Sequence, residues 1–270
     1  LHDALPIYKN KIGDFSYDIK GNFSLSRTKN RYVEQGSFVS SYDRWRNIQT
    51  GRWNDFLWGY ETNGQFQSVN DIRHAAVQNG SKGNYQELPG DFRYVDSNGD
   101  GIIDDRDAKP LFWSSTPMIY YGMNISASWK NFDLYMLLQG AAYYTVRFQE
   151  VYGEFLAYNG GNTPEYFYDR WHLSDPYDQN SEWIPGKWPA IRLPQDIGAF
   201  YRSENGHDSD IWRRNVSYLR LKSLEIGYTV PDAILKKFGI SGLRLYINGN
   251  NLLTLCDSFI KPFDPEKIEG

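Results

Sequence analysis

Apolar and polar residues alternate strictly between Gly13 and Ser26. Phe15, Tyr17, Ile19, Gly21, Phe23 and Leu25 hold the odd positions; Asp14, Ser16, Asp18, Lys20, Asn22, Ser24 and Ser26 hold the even ones. A period of two sends one set to each side of an extended chain, so the stretch predicts a β-strand with one greasy and one wet face. The pattern returns in Ile119, Tyr121, Met123, Ile125, Ala127 and Trp129, set against Tyr120, Gly122, Asn124, Ser126 and Ser128. After Lys130-Asn131 it resumes in Phe132, Leu134, Met136 and Leu138, which predicts a hairpin with a very short connection. A fourth strand runs from Tyr218 to Val230. Leu219 and Leu221 share one phase and Leu224, Ile226 and Tyr228 the other, so a β-bulge is expected near Lys222-Ser223. Pro231 to Phe238 reads as a short helical turn opened by Pro and Asp and closed by Gly239. Leu243, Leu245 and Ile247 then alternate with Arg244, Tyr246 and Asn248 in a fifth strand.

These strands are long. At roughly 3.3 Å per residue and a tilt of about 45°, Phe15–Leu25 rises about 26 Å, close to the apolar band of an outer-membrane barrel. Strand length and alternation alone are equally compatible with a soluble antiparallel barrel or sandwich. The connections separate the two. The Lys130-Asn131 turn and the 231–238 turn are short, whereas 30–117 and 146–217 are very long, and short and long alternate along the chain. Tight turns on one side and long loops on the other are the habit of a membrane barrel, while structureless stretches of that length are foreign to a compact soluble domain. The expected fold class is therefore all-β: antiparallel strands from a transmembrane β-barrel, partial and open in this segment, with long extracellular loops. Residues 1–7 do not join the alternation and read as a non-native or unstructured start; 8–270 read as the partial barrel.

Composition supports this picture. The 270 residues include nine Trp, 21 Tyr and 15 Phe but three Met, a bias towards β-structure and interfacial surfaces. The net charge of −4 supplies no basic field for a phosphate backbone, so nucleic-acid binding is disfavoured. The single cysteine, Cys256, excludes an internal disulfide and a cysteine metal cluster. Mean hydropathy is −0.63, and no apolar run is long enough for a transmembrane helix, which leaves a barrel open. The long loops carry Trp45, Trp53, Trp58, Trp171, Trp183 and Trp188, and a short helix is expected near Val69–Gln78. Most of these aromatic residues are expected to pack folded loops, and some to stack on sugar rings. Trp129, Tyr120 and Tyr121 suit an interfacial girdle.

One motif carries sharp chemistry. Asp96-Ser-Asn98-Gly-Asp100-Gly101-Ile102-Ile-Asp104-Asp105-Arg-Asp107 has the ligand spacing of a calcium loop. Asp96, Asn98 and Asp100 stand at positions 1, 3 and 5, the Ile102 carbonyl at 7, Asp104 at 9 and Asp107 at 12, with Gly101 at the sharp turn. Asp107 replaces the usual bidentate Glu, and no amphipathic helix precedes Asp96, so an isolated loop is expected rather than a paired sensor. The competing reading is a plain Asp/Asn/Gly turn without metal. His2, His74, His172 and His207 show no metal spacing. No nucleophile motif appears, and Glu150 and Glu154 cannot be argued into a hydrolase pair from spacing alone. No catalytic residue is expected.

Taken together, these segments resemble a family. Pro89 to Asp107 is similar to the calcium-loop signature of SusC/RagA-type TonB-linked outer-membrane proteins (TonB-dependent receptors). Ile119–Trp129 with Phe132–Gly140 resembles the hairpin that follows it. Ser217–Tyr228, 231–253 and Phe263-Asp-Pro-Glu266 resemble the family's penultimate segments. The likeness covers most of the chain from Lys11 onward. It implies the C-terminal portion of a barrel of about 22 strands, in the outer membrane of a Gram-negative bacterium, preceded by a plug domain and TonB box and followed by a last strand. It further implies import of oligosaccharides or peptides with a SusD-type surface lipoprotein as lid, TonB as energy source and lipid against the apolar face. A secreted, calcium-stiffened glycan-binding β-domain and an extracellular polysaccharide hydrolase are the alternatives.

Overall fold

The computed structural model describes residues 2–78, 83–148, 165–190 and 207–266. They fall into two compact units, the first formed by 1–55, 113–145 and 215–270 and the second by 56–112 and 146–214. Glu150, Tyr152 and Glu154 lie outside the described residues.

The first unit is an open antiparallel sheet. Its strands are β1 (His2–Ala4), β2 (Ile7–Ile12), β3 (Phe15–Leu25), β4 (Ile119–Trp129), β5 (Phe132–Ala142), β6 (Tyr218–Thr229) and β7 (Arg244–Leu255). From β3 to β7 each strand pairs with the next in sequence, and β1 and β2 both pair with β3. The opening residues, set aside in the sequence reading, therefore lie in the sheet: His2 pairs with Leu25 and Ile12 with Phe15, in one unbroken register. The break between β1 and β2 falls at Pro6, which has no N–H to give the ladder, though its carbonyl still accepts from Gly21 N over 2.9 Å.

Register carries the sequence alternation across the whole sheet. Phe15 pairs with Trp129, Trp129 with Phe132, Phe132 with Tyr228 and Tyr228 with Leu245. Direct partners share a face, so the greasy residues of all strands from β3 to β7 stand on one side. That side is uncovered: Ile226 is 52%, Leu245 58% and Ile247 81% exposed. The phase change at Lys222 is a bulge, where the pairing of β6 with both β5 and β7 slips between Leu221 and Ser223. The slip turns Leu219 and Leu221 back to the side of Leu224 and Ile226. An aromatic row of Phe15, Trp129, Phe132 and Tyr228 marks one edge of the greasy band, with Lys130 Nζ 5.3 Å from the Trp129 ring centroid. Tyr121 marks the other edge. Tyr120 alternates to the wet face, so the sequence reading of it as part of a lipid girdle is corrected.

All three short connections lie at the aromatic-row end. Gly13 turns β2 into β3 with φ +60°, and Lys130 turns β4 into β5 with φ +53°, the left-handed geometry that tight hairpins use. The third connection is a helical turn over Asp232–Leu235 that ends at Gly239 with φ +70°. Both long excursions leave from the opposite end.

At that loop end the segment after β7 folds back onto the wet face. Arg220 on β6 is buried and donates to Thr254 Oγ1 at 2.9 Å, with its Nη atoms 2.7 Å from Asp264 and 3.2 Å from Glu266. Lys222 also binds Glu266, and Tyr144 Oη donates to the Pro265 carbonyl at 3.0 Å. Phe263-Asp-Pro-Glu266 is thus a strap tied to the sheet by ion pairs. Arg220→Met in the full-length protein is expected to lower stability by about 2–4 kcal/mol, because two carboxylates lose a buried partner, and to open 257–266 to protease. Unchanged melting and cleavage would mean that other contacts hold the strap.

Candidate functional site

The wet face of the sheet is a charged trough of about 820 Å³ near the turn end, lined among others by Lys9, Asp18, Ser128, Asp133, Glu225 and Arg244. Asp18 pairs with Lys9 at 3.0 Å and Lys20 at 3.5 Å. Arg244 binds Asp133 two strands away and Glu225 at 2.7 Å. Side chains on β5 and β7 meet only because the strand between them carries Gly227, where a Cβ would lie 2.4 Å from Arg244 Nη2 and 2.6 Å from the Asp133 carboxylate. The greasy face uses the same device with an aromatic ring. Tyr121 lies where a Gly140 Cβ would be and reaches over it to donate to the Tyr218 carbonyl at 2.7 Å.

The second unit joins both long excursions around one aromatic core. Trp188 and Trp212 stack at 5.6 Å and Phe92 meets Trp212 edge-on at 5.9 Å. Phe66, Tyr94 and Trp171 are buried with them. Polar ties also cross between the excursions: Tyr60 N–H donates to the Asp208 carbonyl at 2.8 Å, and Thr62 Oγ1 to Asp210 at 2.7 Å. The expected short helix forms over Val69–His74, capped by the Ser68 side chain accepting from Asp71 N–H. Of the loop tryptophans read from sequence, Trp171 and Trp188 are buried, Trp58 and Trp183 half-buried, and Trp45 and Trp53 exposed.

The acidic loop lies in this unit. Asp96 accepts from Gly99 N–H at 2.7 Å and Gly101 N–H at 2.8 Å, and both glycines take positive φ, +77° and +83°. Asn98 and Asp100 close successive turns, Asn98 Oδ1 accepting from Asp100 N–H at 2.9 Å and Asp100 Oδ1 from Ile102 N–H at 3.0 Å. Neighbouring Ile103 anchors the coil: its side chain is buried and its N–H donates to the Val77 carbonyl at 2.8 Å. Asp107 is 1% exposed and both its oxygens serve the backbone, accepting from Ser97 N–H at 2.7 Å, Asn98 N–H at 3.3 Å and Asp104 N–H at 2.9 Å. Asp100 and Asp104 share one cation, the Arg106 guanidinium, at 2.7 Å each. Hydrogen bonding from Arg106 to Asp104 holds that guanidinium still more firmly in its charged form. Among the described residues, no three acidic, histidine or cysteine side chains are grouped so as to hold a metal ion. The spacing thus brings Asp100 and Asp104 to a common cation and turns Asp96 and Asp107 inward to the loop's own amides. The sequence pattern gave no sign of Arg106 or of this use of Asp107.

Fold and site define a class: an open portion of an antiparallel barrel with a lipid-type exterior, its short turns at one end of the strands and its long excursions leaving the strands from the other. Comparison with known proteins agrees. No protein-family model matches the chain. TonB-dependent receptor P3 of Formosa agariphila is 27% identical over 256 residues, 90% of this chain and 23% of that protein. TonB-dependent receptor P26 of the same organism is 26% identical over 180 residues, 67% of this chain and 16% of that protein. The chain thus spans about a quarter or less of its curated relatives. A structure of the RagAB peptide transporter shares the fold over 99% of this chain and 26% of the other, with TM-score 0.62 and 17% identity. The RagAB peptide importer in its closed-closed state shares it over 98%, with TM-score 0.57 and 18% identity. The resemblance to TonB-dependent receptors read from the residues is thereby borne out. These relatives are receptors, not enzymes, and the non-enzymatic reading of this chain stands with them.

Asp107→Ala is expected to destabilise the second unit by about 1–3 kcal/mol by removing the buried carboxylate that the Ser97, Asn98 and Asp104 N–H groups share, with calcium present or absent. The check is protease sensitivity at 96–107 together with thermal melting. A wild-type profile would show that the loop is held without this carboxylate.

Proposed function

We propose that this chain is part of an outer-membrane, TonB-dependent importer of oligosaccharides or peptides that works with a SusD-type surface lipoprotein. The carrying observation is the continuous greasy face across β3 to β7, exposed and edged by aromatic residues, opposite a face lined with ion pairs. Hydrocarbon is the solvent that such a face fits, and water and ligand are what the opposite face fits. The names of the two curated relatives support the receptor reading, and the RagAB importer supports peptide as one ligand class. In this reading the folded excursions form the ligand vestibule and meet the lipoprotein, TonB acts through residues outside this chain, and no bond is broken. The test is fractionation of cells making the tagged full-length protein, followed by uptake of labelled oligomers. Recovery with detergent-extracted envelope and TonB-dependent uptake are expected. Recovery as a soluble secreted protein would favour the calcium-stiffened glycan-binding alternative.

Calcium is part of the proposal. Asp96, Asn98, Asp100, Asp104, Asp107 and the Ile102 carbonyl fit Ca²⁺ in donor type, being all oxygen. The cation already shared by Asp100 and Asp104 supports a positive charge at that point. Bound Ca²⁺ would supply rigidity, with Arg106 released from the two carboxylates. Calorimetry on the full-length protein is expected to register Ca²⁺ uptake that Asp100→Ala weakens at least tenfold. No heat of binding in the wild type would remove calcium and leave the importer reading intact.

A further inference from the structure

Beyond β3 the chain runs through Ser26, Arg27, Thr28 and Lys29 and is met, antiparallel, by the returning stretch 52–55. Lys29 bridges Trp53, Asn54 N–H donates to the Thr28 carbonyl at 2.8 Å, and Asn30 N–H to the Arg52 carbonyl at 2.9 Å. This pairing sets three side chains against one another. The Arg27 guanidinium lies on the Trp53 ring, 4.1 Å from its centroid, and its Nε donates to Asp55. Asp55 is buried, and its carbonyl is fixed by Ser114 N–H at 2.9 Å. The guanidinium is therefore held by one edge and one face. Among the described residues its two Nη atoms meet no acceptor, and neither does the Lys29 ammonium, 5.4 Å from the same ring. Two cations and one carboxylate leave this cluster at +1 in a chain of net charge −4.

Arg27 and Asp55 line a cavity of about 320 Å³, together with Thr28, Asn54, Tyr120 and Tyr143 among others. Its strand residue Tyr120 belongs to the wet face, and Ser26 directly follows β3. Tyr120 and Tyr143 are each about half exposed, 46% and 47%. Tyr143 has φ +58°, a conformation that is uncommon for a bulky residue and that gathers at functional positions. It is held there by its N–H to Ser217 Oγ at 3.2 Å and by the edge of its ring against Trp113 at 5.4 Å.

We propose that this cavity is a ligand subsite for a carboxylate group, with the Nη edge of Arg27 as the fork that receives it and Tyr120 and Tyr143 as flanking rings. A guanidinium whose Nε is already paired and whose face is stacked keeps two parallel N–H donors with little rotational freedom left to lose. That arrangement suits bidentate carboxylate recognition. The volume accepts one residue or sugar unit of a larger ligand. The carboxylate can belong to a peptide or to a uronic acid, and the two sources are separated below. The subsite deepens the importer reading and rests on it only for the fate of the ligand after binding.

The experiment is calorimetry on the detergent-purified full-length receptor with two pairs of probes: an N-acetylated tetrapeptide as free acid and as C-terminal amide, and a trigalacturonate beside its methyl ester. In the wild type at least one acid is expected to bind about tenfold tighter than its neutral partner, and the responding pair identifies the source. Arg27→Gln is expected to abolish that preference while leaving the neutral probe unchanged. Arg27→Lys, which keeps a charge for Asp55 and so guards against misfolding, is expected to reduce the preference several-fold. Absence of acid preference in both pairs, or a preference that survives Arg27→Gln, overturns the subsite. Acid preference without cellular uptake would instead count against the importer reading alone.

Discussion

Everything in the sheet follows from one constraint: where hydrocarbon is the solvent, the backbone must satisfy its own hydrogen bonds and offer only apolar side chains outward. β3 and β4 meet it over eleven consecutive pairs without a slip, from Phe15–Trp129 to Leu25–Ile119. A one-residue slip would send every greasy side chain into the wet interior. The irregularities that do occur preserve this segregation. The bulge at Lys222 restores the phase of Leu219 and Leu221 rather than breaking it, and β7 answers with Asn251 at φ +54°. Leu252 then lies over Gly249, 2.7 Å from where a Cβ would be, so the greasy surface has no gap. Tyr121 roofs Gly140 in the same way, whereas Asp133 and Arg244 roof Gly227 on the wet side. Glycine in these strands makes room for a neighbour, and the neighbour's polarity matches the face.

The same constraint explains why the long excursions are folded. A barrel wall has no interior of its own to offer them, so their aromatic residues must bury one another. Trp188 and Trp212 come from one excursion and Phe66 and Phe92 from the other, and together they make a core that neither stretch could form alone. The length of these excursions is that of a small domain supplied in two pieces.

Periodicity made most of this legible beforehand. The bounds of β4, the turn at Lys130-Asn131, the bulge at Lys222 and the stop at Gly239 all came from local pattern, because each is decided by nearest neighbours along the chain. The edge formed by β1 and β2 was not legible. Ile7 falls on the wet face and Asn10 on the greasy one, and Pro6 reads as a strand breaker; pairing with a regular β3 overrides these local signals. β7 runs on to Leu255, past the point where the alternation is clean, because the slip at Asn251 hides it. The acidic loop was legible as a spacing but not as an arrangement. Spacing cannot tell whether Asp107 faces a shared ion or the amides of Ser97 and Asp104, and it is blind to Arg106. The union of the two excursions and the Arg27–Asp55 pair depend on contacts between distant parts of the chain, which no local pattern records.

Charge on the wet face is distributed unevenly, and that unevenness has functional content. Near the turn end, Asp18 stands between Lys9 and Lys20 and Arg244 between Asp133 and Glu225, so these two clusters cancel, while Lys11 adds a further positive charge to the trough. Arg220 and Lys222 are matched by Asp264 and Glu266 in the strap. Such balanced groups set register and shape and leave little field to attract a solute. Around Trp53, by contrast, Arg27 and Lys29 face a single buried carboxylate, and the surplus positive charge sits beside a cavity at the end from which the excursions leave. In the importer proposed above, a cationic cluster at the loop end of this part of the wall would attract an anionic ligand there first.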